Sequence, residues 1–248
     1  MRENSAETQT RAHVRRGTAR MRAVLWDMDG TLVDSEKLWD VSLAALYDRL
    51  GGVITDELRT ALVGSSAENT IKTIFADLGL EPDPAAMAEA DRWLHDHTGD
   101  LFATHGLPWC DGARELLEAL AGEGVPMALV TNTQRALTEQ ALDSIGRHFF
   151  SVTVCGDEVP NGKPEPDPYR RAAALLDLDP GHCLAVEDSV TGTLAAELAG
   201  CPVLVVPNDV VVPPSPRRRH VDSLRDVAVD DLRAFHAEIA AASGKRSA

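Results

Sequence analysis

The sequence predicts an α/β fold in which a parallel β-sheet is covered by helices on both faces. After Gly106, short apolar segments rich in β-branched residues alternate with segments of helical periodicity, and repeated β-α-β order is typical of a parallel sheet. Between about residues 36 and 104, the apolar residues recur only at helical spacing. This block is therefore predicted to be a separate small bundle of helices.

The first predicted strand lies just before the helical block. Residues 23–27 form a short apolar run that stops at the Asp-x-Asp-Gly sequence of residues 27–30, as expected for a buried strand that ends in a turn. Because this strand completes the alternating pattern that resumes after Gly106, we assign it to the sheet. The helical block is then an insertion behind the first strand.

The alternating region supplies the remaining strands and helices. Predicted helices cover residues 112–122, 134–146, 167–177, 190–199 and 229–241, and predicted strands cover residues 125–130, 152–155, 183–187 and 202–206. Pro213–Pro216 and the three arginines Arg217–Arg219 are predicted to form a surface loop, because a short charge run is usually solvated.

These segments give the predicted domain organisation. Residues 1–21 form a basic arm that we expect to be disordered, since the first 22 residues hold six arginines against two glutamates and no apolar core. The core is discontinuous and comprises residues 22–35 and 105–242. The inserted helices cover residues 36–104, and residues 243–248 form a tail.

The composition excludes several classes of function. The 248 residues carry a formal net charge of −15, and so acidic a surface repels nucleic acids and anionic membranes. No apolar run approaches the ~20 residues that span a bilayer. The cysteines lack the spacing of zinc or disulfide frameworks, which predicts buried free thiols and a cytoplasmic location; they are Cys110, Cys155, Cys183 and Cys201.

Polar residues with catalytic potential follow successive predicted strands. In chain order they are Asp27 and Asp29, Thr131 and Asn132, Lys163, and Glu187 and Asp188. Ligands bind at the carboxyl ends of parallel strands, so these side chains are expected to meet at one edge of the sheet. Singly, each group resembles an ordinary turn, helix cap or solvated loop residue. Their joint placement favours a catalytic site.

This set of residues suits phosphoryl transfer. Clustered carboxylates stay ionised only beside a cation, and oxygen ligands without His or Cys favour Mg²⁺. Asp27 is then the nucleophile that forms an aspartyl-phosphate, while Asp29 protonates the leaving alcohol and activates water. Thr131 and the backbone N–H of Asn132 hold the phosphoryl oxygens. Lys163 compensates the negative charge that develops.

Four motifs of the chain resemble those of the haloacid dehalogenase (HAD) superfamily. They are Asp27-Met28-Asp29-Gly30-Thr31-Leu32, Thr131-Asn132, Gly162-Lys163-Pro164 and Glu187-Asp188-Ser189, and the resemblance spans about residues 23–207. It implies a Rossmann-like core with a helical cap domain at residues 36–104. It also implies that Asp27 and Asp188 are ligands of Mg²⁺. Asp29 would add its main-chain carbonyl, and Glu187 would support the ion through water.

The motif set and cap type are most similar to those of the β-phosphoglucomutases and sugar-phosphate phosphatases. An acid at Asp29 favours a phosphate ester, since the leaving alkoxide needs a proton. The mutases carry a His where Trp39 falls, and an Arg after a Gly-x-Ser turn where this chain has Ala67. We therefore expect hydrolysis of a small phosphomonoester, such as a sugar phosphate. A phosphohexose mutase and a non-catalytic phosphate-binding module are the alternatives.

The expected partner is a small phosphorylated metabolite, with no nucleic acid and no membrane, and the chain is expected to be a monomer or a weak homodimer. Trp39 either stacks on a sugar or packs within the cap, and packing is favoured. His95 and His97 are expected to be exposed on a cap helix, because a histidine at helical spacing without a partner is weak evidence for a ligand. The candidate substrate-binding residues are Gly30, Asn132, Ser66 and Trp39.

Overall fold

A parallel six-stranded sheet forms the centre of the computed structural model, which describes residues 20–62, 65, 67–206, 208 and 210–244. The order across the sheet is β3-β2-β1-β4-β5-β6, so the first strand of the chain lies in the middle. The predicted α/β class with a Rossmann-like sheet is confirmed. The strands are β1 Ala23–Trp26, β2 Met127–Val130, β3 Val152–Val154, β4 Cys183–Glu187, β5 Val203–Val205 and β6 Arg218–His220.

Helices cover both faces of this sheet. Side chains of α5, α6 and α9 pack on one face, and side chains of α7 and α8 pack on the other. Four further helices, α1 to α4, lie in the chain between β1 and α5, and we call them the cap helices. The bounds are α1 Glu36–Arg49, α2 Asp56–Leu62, α3 Ala67–Asp77, α4 Pro84–His105, α5 Ala113–Gly122, α6 Arg135–Ile145, α7 Asp167–Leu175, α8 Val190–Ala199 and α9 Val229–Gly244.

Strand β1 shows why the sheet needs both layers of helices. All four of its residues are buried, and successive side chains of a strand point to opposite faces. Val24 and Trp26 therefore join the apolar cluster beneath α5, α6 and α9, whereas Ala23 and Leu25 join the cluster beneath α7 and α8. The continuous apolar strands of the sequence are a consequence of this burial on both faces.

The cap helices have an apolar core of their own. Helix α4 packs against both α1 and α3, and Trp39 contacts this core and also the core beneath α5 and α6. Helix α4 further contacts α6 of the sheet domain. The buried members of the cap core are Leu43, Leu46, Tyr47, Leu62, Ile71, Ile74, Phe75, Ala90 and Leu94.

The sixth strand corrects the prediction of a surface loop at the three arginines. Arg218–His220 pair in parallel with β5, and the Arg218 side chain is only 8% exposed. Its Nε and Nη2 donate to the two carboxylate oxygens of Glu197 at 3.0 and 3.1 Å. A short polar edge strand has no apolar alternation to reveal it, because its ladder depends only on backbone groups.

The C-terminal helix extends further than the sequence predicts. Helix α9 runs to Gly244, so residues 243–244 of the predicted tail are helical. Residues 1–19 and 245–248 lie outside the described residues. None of the described helices has the length and apolar character of a membrane span. All four cysteines are free; three are buried and Cys110 is half-buried.

The Arg218–Glu197 pair leads to a prediction about stability. Arg218→Gln should lower the free energy of unfolding by about 2 kcal/mol, because it leaves a largely buried carboxylate without its cationic partner. Arg114→Gln, which removes an exposed i,i+4 partner of Glu118, should change it by less than about 0.5 kcal/mol. Urea unfolding of the two variants measures the difference. Equal losses in both would show that burial of the first pair is unimportant.

Candidate active site

The predicted catalytic residues meet at the carboxyl edge of three neighbouring strands. Asp27 follows β1 directly, Thr131 follows β2, and Glu187 is the last residue of β4. Because β1 lies between β2 and β4, groups more than 100 residues apart in the chain come together there. The ladder continues to this edge, since the backbone N–H of Asp27 donates to the carbonyl of Val186 at 3.0 Å.

Lys163 lies between two carboxylates at the centre of the site. Its Nζ donates to Asp27 Oδ1 at 2.5 Å and to Glu187 Oε1 at 2.6 Å. The three side chains are at most 9% exposed. Although burial opposes a charged amine, the carboxylates of Asp27 and Glu187 outweigh it and raise the pKa of Lys163 above its ordinary value. The two carboxylates therefore favour the charged form of Lys163.

Glu187 is held by donors from several elements. The Tyr169 hydroxyl of α7 donates to Glu187 Oε1 at 2.5 Å, and the Ser189 hydroxyl donates to Oε2 at 3.2 Å. A Cβ atom at position 192 would lie 2.0 Å from either carboxylate oxygen, so only Gly192 leaves room for Glu187. With Lys163 as its third donor, Glu187 mainly fixes the amine.

A cluster of acids beside Lys163 fits a divalent metal ion. Asp27, Glu187 and Asp188, which we call the acid cluster, each place a carboxylate oxygen within 4.8 Å of the others. Burial and then the charge of Glu187 raise the pKa of Asp27 well above its ordinary value, with a further increase from Asp188 that Lys163 only partly offsets. A bound cation would relieve this repulsion. The all-oxygen donor set suits a hard divalent ion.

The loop after β1 is shaped to accommodate Asp188. Gly30 has a φ of +81°, a backbone conformation that residues other than glycine rarely adopt. A Cβ atom here would also lie 2.1 Å from Asp188 Oδ2. The same oxygen accepts a hydrogen bond from Asn208 Nδ2 at 2.9 Å. Gly30 thus provides space for a candidate metal ligand and is not itself among the residues that line the cleft.

Asp29 stands in a different environment from Asp27. Its Oδ1 accepts from the Ser35 hydroxyl at 2.5 Å and from the Trp39 indole N–H at 3.2 Å. Its Oδ2 accepts from the hydroxyls of Thr133 and Thr131 at 2.7 and 3.3 Å. Hydroxyl groups can donate or accept, so they tolerate either protonation state of this carboxyl, whereas an indole only donates. Asp29 is therefore surrounded by neutral partners.

Asn132 ties the Lys163 loop to the strand edge. Its Oδ1 accepts from the backbone N–H of Lys163 at 2.7 Å, and its Nδ2 donates to the Lys163 carbonyl at 3.1 Å. A side-chain amide can satisfy both groups of one residue only in a single orientation. The side chain of Asn132 therefore positions Lys163, and the predicted phosphate contact rests on its backbone N–H.

The carboxyl edge opens into a cleft between the sheet and the cap helices. The cleft has an empty volume of about 970 Å³. Asp27, Asp29, Thr131 and Lys163 line its sheet side. Its cap side, which we call the cap wall, is lined by Trp39, Asp40, Leu43, Arg59, Leu62, Ser65, Thr70, Leu94 and His95.

His95 corrects the expectation that the cap histidines are exposed. Its side chain is 12% exposed and its Nδ1 lies 3.4 Å from Asp91 Oδ1. Asp91 in turn accepts from Nε2 of Gln134, the residue just before α6, at 3.0 Å, which links α4 to the sheet domain. Although burial opposes the charged form, the hydrogen bonds with Asp91 raise the pKa of His95. His97 is half-buried and stacks on Trp93.

A comparison with protein families identifies this arrangement. The model of the haloacid dehalogenase-like hydrolases matches residues 21–200, which include every motif residue of the site. The chain belongs to the haloacid dehalogenase-like hydrolases. The resemblance seen in the four sequence motifs is thereby confirmed.

Individual relatives of this HAD-like hydrolase are phosphatases by name. Hexitol phosphatase A from Escherichia coli is 34% identical over 209 residues, which cover 82% of this chain and 89% of that protein. A phosphoglycolate phosphatase from Thiobacillus denitrificans is 32% identical over 192 residues, which cover 75% and 83%. Among solved structures, a mutant of CbbY from Rhodobacter sphaeroides in complex with xylulose-(1,5)bisphosphate has a TM-score of 0.77 at 26% identity, covering 86% of this chain and 99% of that one.

The structure of the hydrolase brings most of the sequence-predicted site residues together. Asp27, Asp29, Thr131, Asn132, Lys163, Asp188 and Trp39 line one cleft, whereas Ser66 lies outside the described residues. Sequence reasoning missed several hydrogen-bond partners of Asp29 and Glu187, because these partners come from other segments of the chain. These partners are Ser35 and Thr133 at Asp29, and Tyr169 at Glu187. Only Thr133, two residues after Thr131, had a signal in the sequence, namely a second hydroxyl next to a motif residue.

The Asp91–His95 pair predicts how the stability of this hydrolase depends on pH. The pKa of His95 is raised above about 6.5 and that of Asp91 is lowered below about 3.8 in the folded state. The pair therefore stabilises fully between those two values, and its contribution is lost as the pH rises through the raised pKa of His95 or falls through the lowered pKa of Asp91. His95→Gln should cost about 1 kcal/mol at pH 5.5 and much less at pH 9.

Urea unfolding of wild type and His95→Gln at the two pH values measures this dependence. Asp91→Asn serves as the matched control, because it removes the other half of the same pair. The double variant should lose no more at pH 5.5 than the sum of the two single losses, and less if the pair acts as a unit. An equal loss from His95→Gln at pH 5.5 and pH 9 would contradict the ionic contribution.

Proposed function

We propose that this protein is a Mg²⁺-dependent phosphatase that hydrolyses a small phosphomonoester through an aspartyl-phosphate. The observation that carries the proposal is the contrast between two neighbouring carboxyls of one cleft. Asp27 lies in the acid cluster beside Lys163, as a nucleophile requires. Asp29 lies among hydroxyls and an indole, as suits a group that must both give and take a proton.

In the first step, a carboxylate oxygen of Asp27 attacks the phosphorus of the ester. The bond between phosphorus and the ester oxygen breaks, and the leaving alkoxide takes the proton of the Asp29 carboxyl. The product alcohol leaves and the phosphoryl group remains on Asp27. Lys163, which contacts Asp27, and Thr131 line the same cleft, and there they stabilise the negative charge on the phosphoryl oxygens.

In the second step, Asp29 takes a proton from water, and the resulting hydroxide attacks the phosphorus. The bond from phosphorus to the Asp27 oxygen breaks, which releases phosphate and restores the carboxylate. Asp29 ends the cycle protonated, ready for the next ester. The acid and the base of the reaction are therefore one residue.

The acid cluster is the proposed site of the Mg²⁺ ion. Asp27 and Asp188 would bind it, with the main-chain carbonyl of Asp29, while Glu187 would support it indirectly because three protein donors already occupy its carboxylate. When bound, the ion supplies the positive charge that lets a phosphate dianion approach these carboxylates.

The relatives support hydrolysis of a metabolite, in the sense of the names hexitol phosphatase and phosphoglycolate phosphatase. A mutase must hold a second phosphate and return it to the product. Trp39 stands where the mutases carry a His, and its indole cannot shuttle a proton. Hydrolysis is therefore the proposed reaction. We further propose a cytoplasmic protein with residues 36–104 as a cap domain over the cleft and no nucleic-acid partner.

Asp27→Asn tests the covalent mechanism. An amide is a poor nucleophile, so we expect phosphate release from p-nitrophenyl phosphate in Mg²⁺ to fall by at least about 10³-fold. Asp111→Asn, which neutralises an exposed acid paired with Arg225, is the matched control and should retain wild-type turnover. Turnover by Asp27→Asn equal to that of the control would rule out Asp27 as nucleophile.

Metal binding has a test that does not depend on turnover. Mg²⁺ at about 100 times its dissociation constant should stabilise the folded state by about 2.7 kcal/mol and raise Tm by several degrees. Asp188→Asn should lose most of this shift, and in EDTA it should be at least as stable as wild type because a like charge has been removed. Differential scanning calorimetry with and without Mg²⁺ measures both effects. An unchanged shift in Asp188→Asn would argue against this ligand.

A further inference from the structure

The cap wall of the cleft contains two opposite charges that form a pair with each other. Arg59 of α2 donates through Nη1 to Asp40 Oδ2 of α1. Both side chains line the cleft and both remain partly exposed, at 38% and 30%. An ion pair so accessible to solvent contributes little to stability, so stability alone gives no reason for its place in the cleft.

The remaining ionisable group on the cap wall is matched in the same way. His95 pairs with Asp91, which also accepts from Gln134. Within the described part of the cleft, each cationic side chain therefore faces a carboxylate of this chain, since Lys163 is engaged with Asp27 and Glu187. Three residues between 36 and 104 lie outside the described residues, and none of them has an ionisable side chain. They are Val63, Gly64 and Ser66.

This charge pattern decides what the far end of a substrate can carry. The phosphoryl end approaches Lys163 and the acid cluster, where its charge is compensated. A second phosphate or a carboxylate at the far end would approach Asp40, while the charge of Arg59 is already balanced. Such a group would lie beside a like charge, and this arrangement is unfavourable.

A neutral hydroxylated chain meets complementary groups on the same wall. Hydroxyls can donate to the Asp40 carboxylate and accept from the Arg59 guanidinium, so one polyol can use both members of the pair. The apolar side chains beside them offer a surface for the C–H groups of such a chain. They are Trp39, Leu43, Leu62 and Leu94.

We infer that Asp40 and Arg59 form a recognition site for hydroxyl groups. They restrict the substrate to phosphate esters of neutral sugars and polyols and discriminate against esters with a second anionic group. This inference rests on the proposed function, since it takes the phosphoryl end of the substrate to lie at Asp27. It assigns to the cap wall the choice of the leaving alcohol.

Two substrates that differ in one group test the inference. Sorbitol 6-phosphate and 6-phosphogluconate have the same carbon chain, and the terminal CH₂OH of the first is a carboxylate in the second. For the wild-type protein in Mg²⁺, we expect kcat/KM to be at least about tenfold higher for sorbitol 6-phosphate. A ratio near one, or a preference for 6-phosphogluconate, would overturn the inference.

A variant assigns the preference to the pair. Asp40→Asn removes the negative charge and leaves that of Arg59 in place, so the ratio of the two kcat/KM values should fall by about tenfold or reverse. Glu89→Gln is the matched control, because it removes an acidic partner of Arg49 that also lies on the cap helices but outside the cleft lining. It should keep the wild-type ratio. An unchanged ratio in Asp40→Asn would exclude the pair as the determinant.

A third ester separates failure of the inference from failure of the proposed function. p-Nitrophenyl phosphate has no hydroxylated chain to meet the pair, so its turnover reports the chemistry at Asp27 alone. If the wild-type protein hydrolyses this ester but does not discriminate between the two hexose-derived substrates, the inference fails and the proposed function stands. If it releases phosphate from none of the three, both fail.

Discussion

The site depends on one buried ammonium group placed among carboxylates. Asp27, Glu187 and Asp188 lie together at the edge of the sheet with little access to solvent, an arrangement that is unfavourable without positive charge. Lys163 supplies that charge, and much of the surrounding structure keeps it in place. Asn132 holds its backbone, Glu187 holds its amine, and the Tyr169 ring lies 5.3 Å from its Nζ. Lys163 thus compensates part of the negative charge of the acid cluster, and the negative charge that remains suits a metal ion.

The second carboxyl of the β1 loop connects this centre to the cap helices. Asp29 lies two residues after Asp27, yet its partners are neutral, and one of them is the indole of Trp39 on α1. Trp39 also packs on the edge of His95, with ring centroids 5.9 Å apart, and His95 is linked through Asp91 to Gln134 of the sheet domain. The position of the cap helices and the surroundings of the proposed acid and base are therefore coupled through side-chain contacts. The favoured prediction for Trp39, a packed cap aromatic, describes its contacts with both cores, and its hydrogen bond with Asp29 adds a polar role.

The two sides of the cleft differ in how their charged side chains are arranged. The sheet side concentrates charge, which suits a phosphoryl dianion together with a metal ion. The cap wall pairs its charges internally, which suits a neutral partner with many hydroxyls. A net charge of −15 is compatible with an anionic substrate because the field that matters is local, set by Lys163 and the acid cluster.

The α/β class, the inserted helical block and the order of the motif residues could be predicted from the amino-acid sequence, because β-α-β periodicity and strand-end placement are local properties. Sequence reasoning gave β4 its exact bounds, misplaced the ends of the other predicted strands by one or two residues and missed β6, since a short polar edge strand has no apolar signal. It could name Asp29 and Trp39 but not the hydrogen bond between them, nor the partners Ser35 and Thr133, and it could name Lys163 but not Tyr169. Nor could it pair Asp40 with Arg59 across two helices. These pairings depend on the folded arrangement of distant elements, because a hydrogen bond or an ion pair requires a distance of about 3 Å, and sequence spacing does not fix such distances.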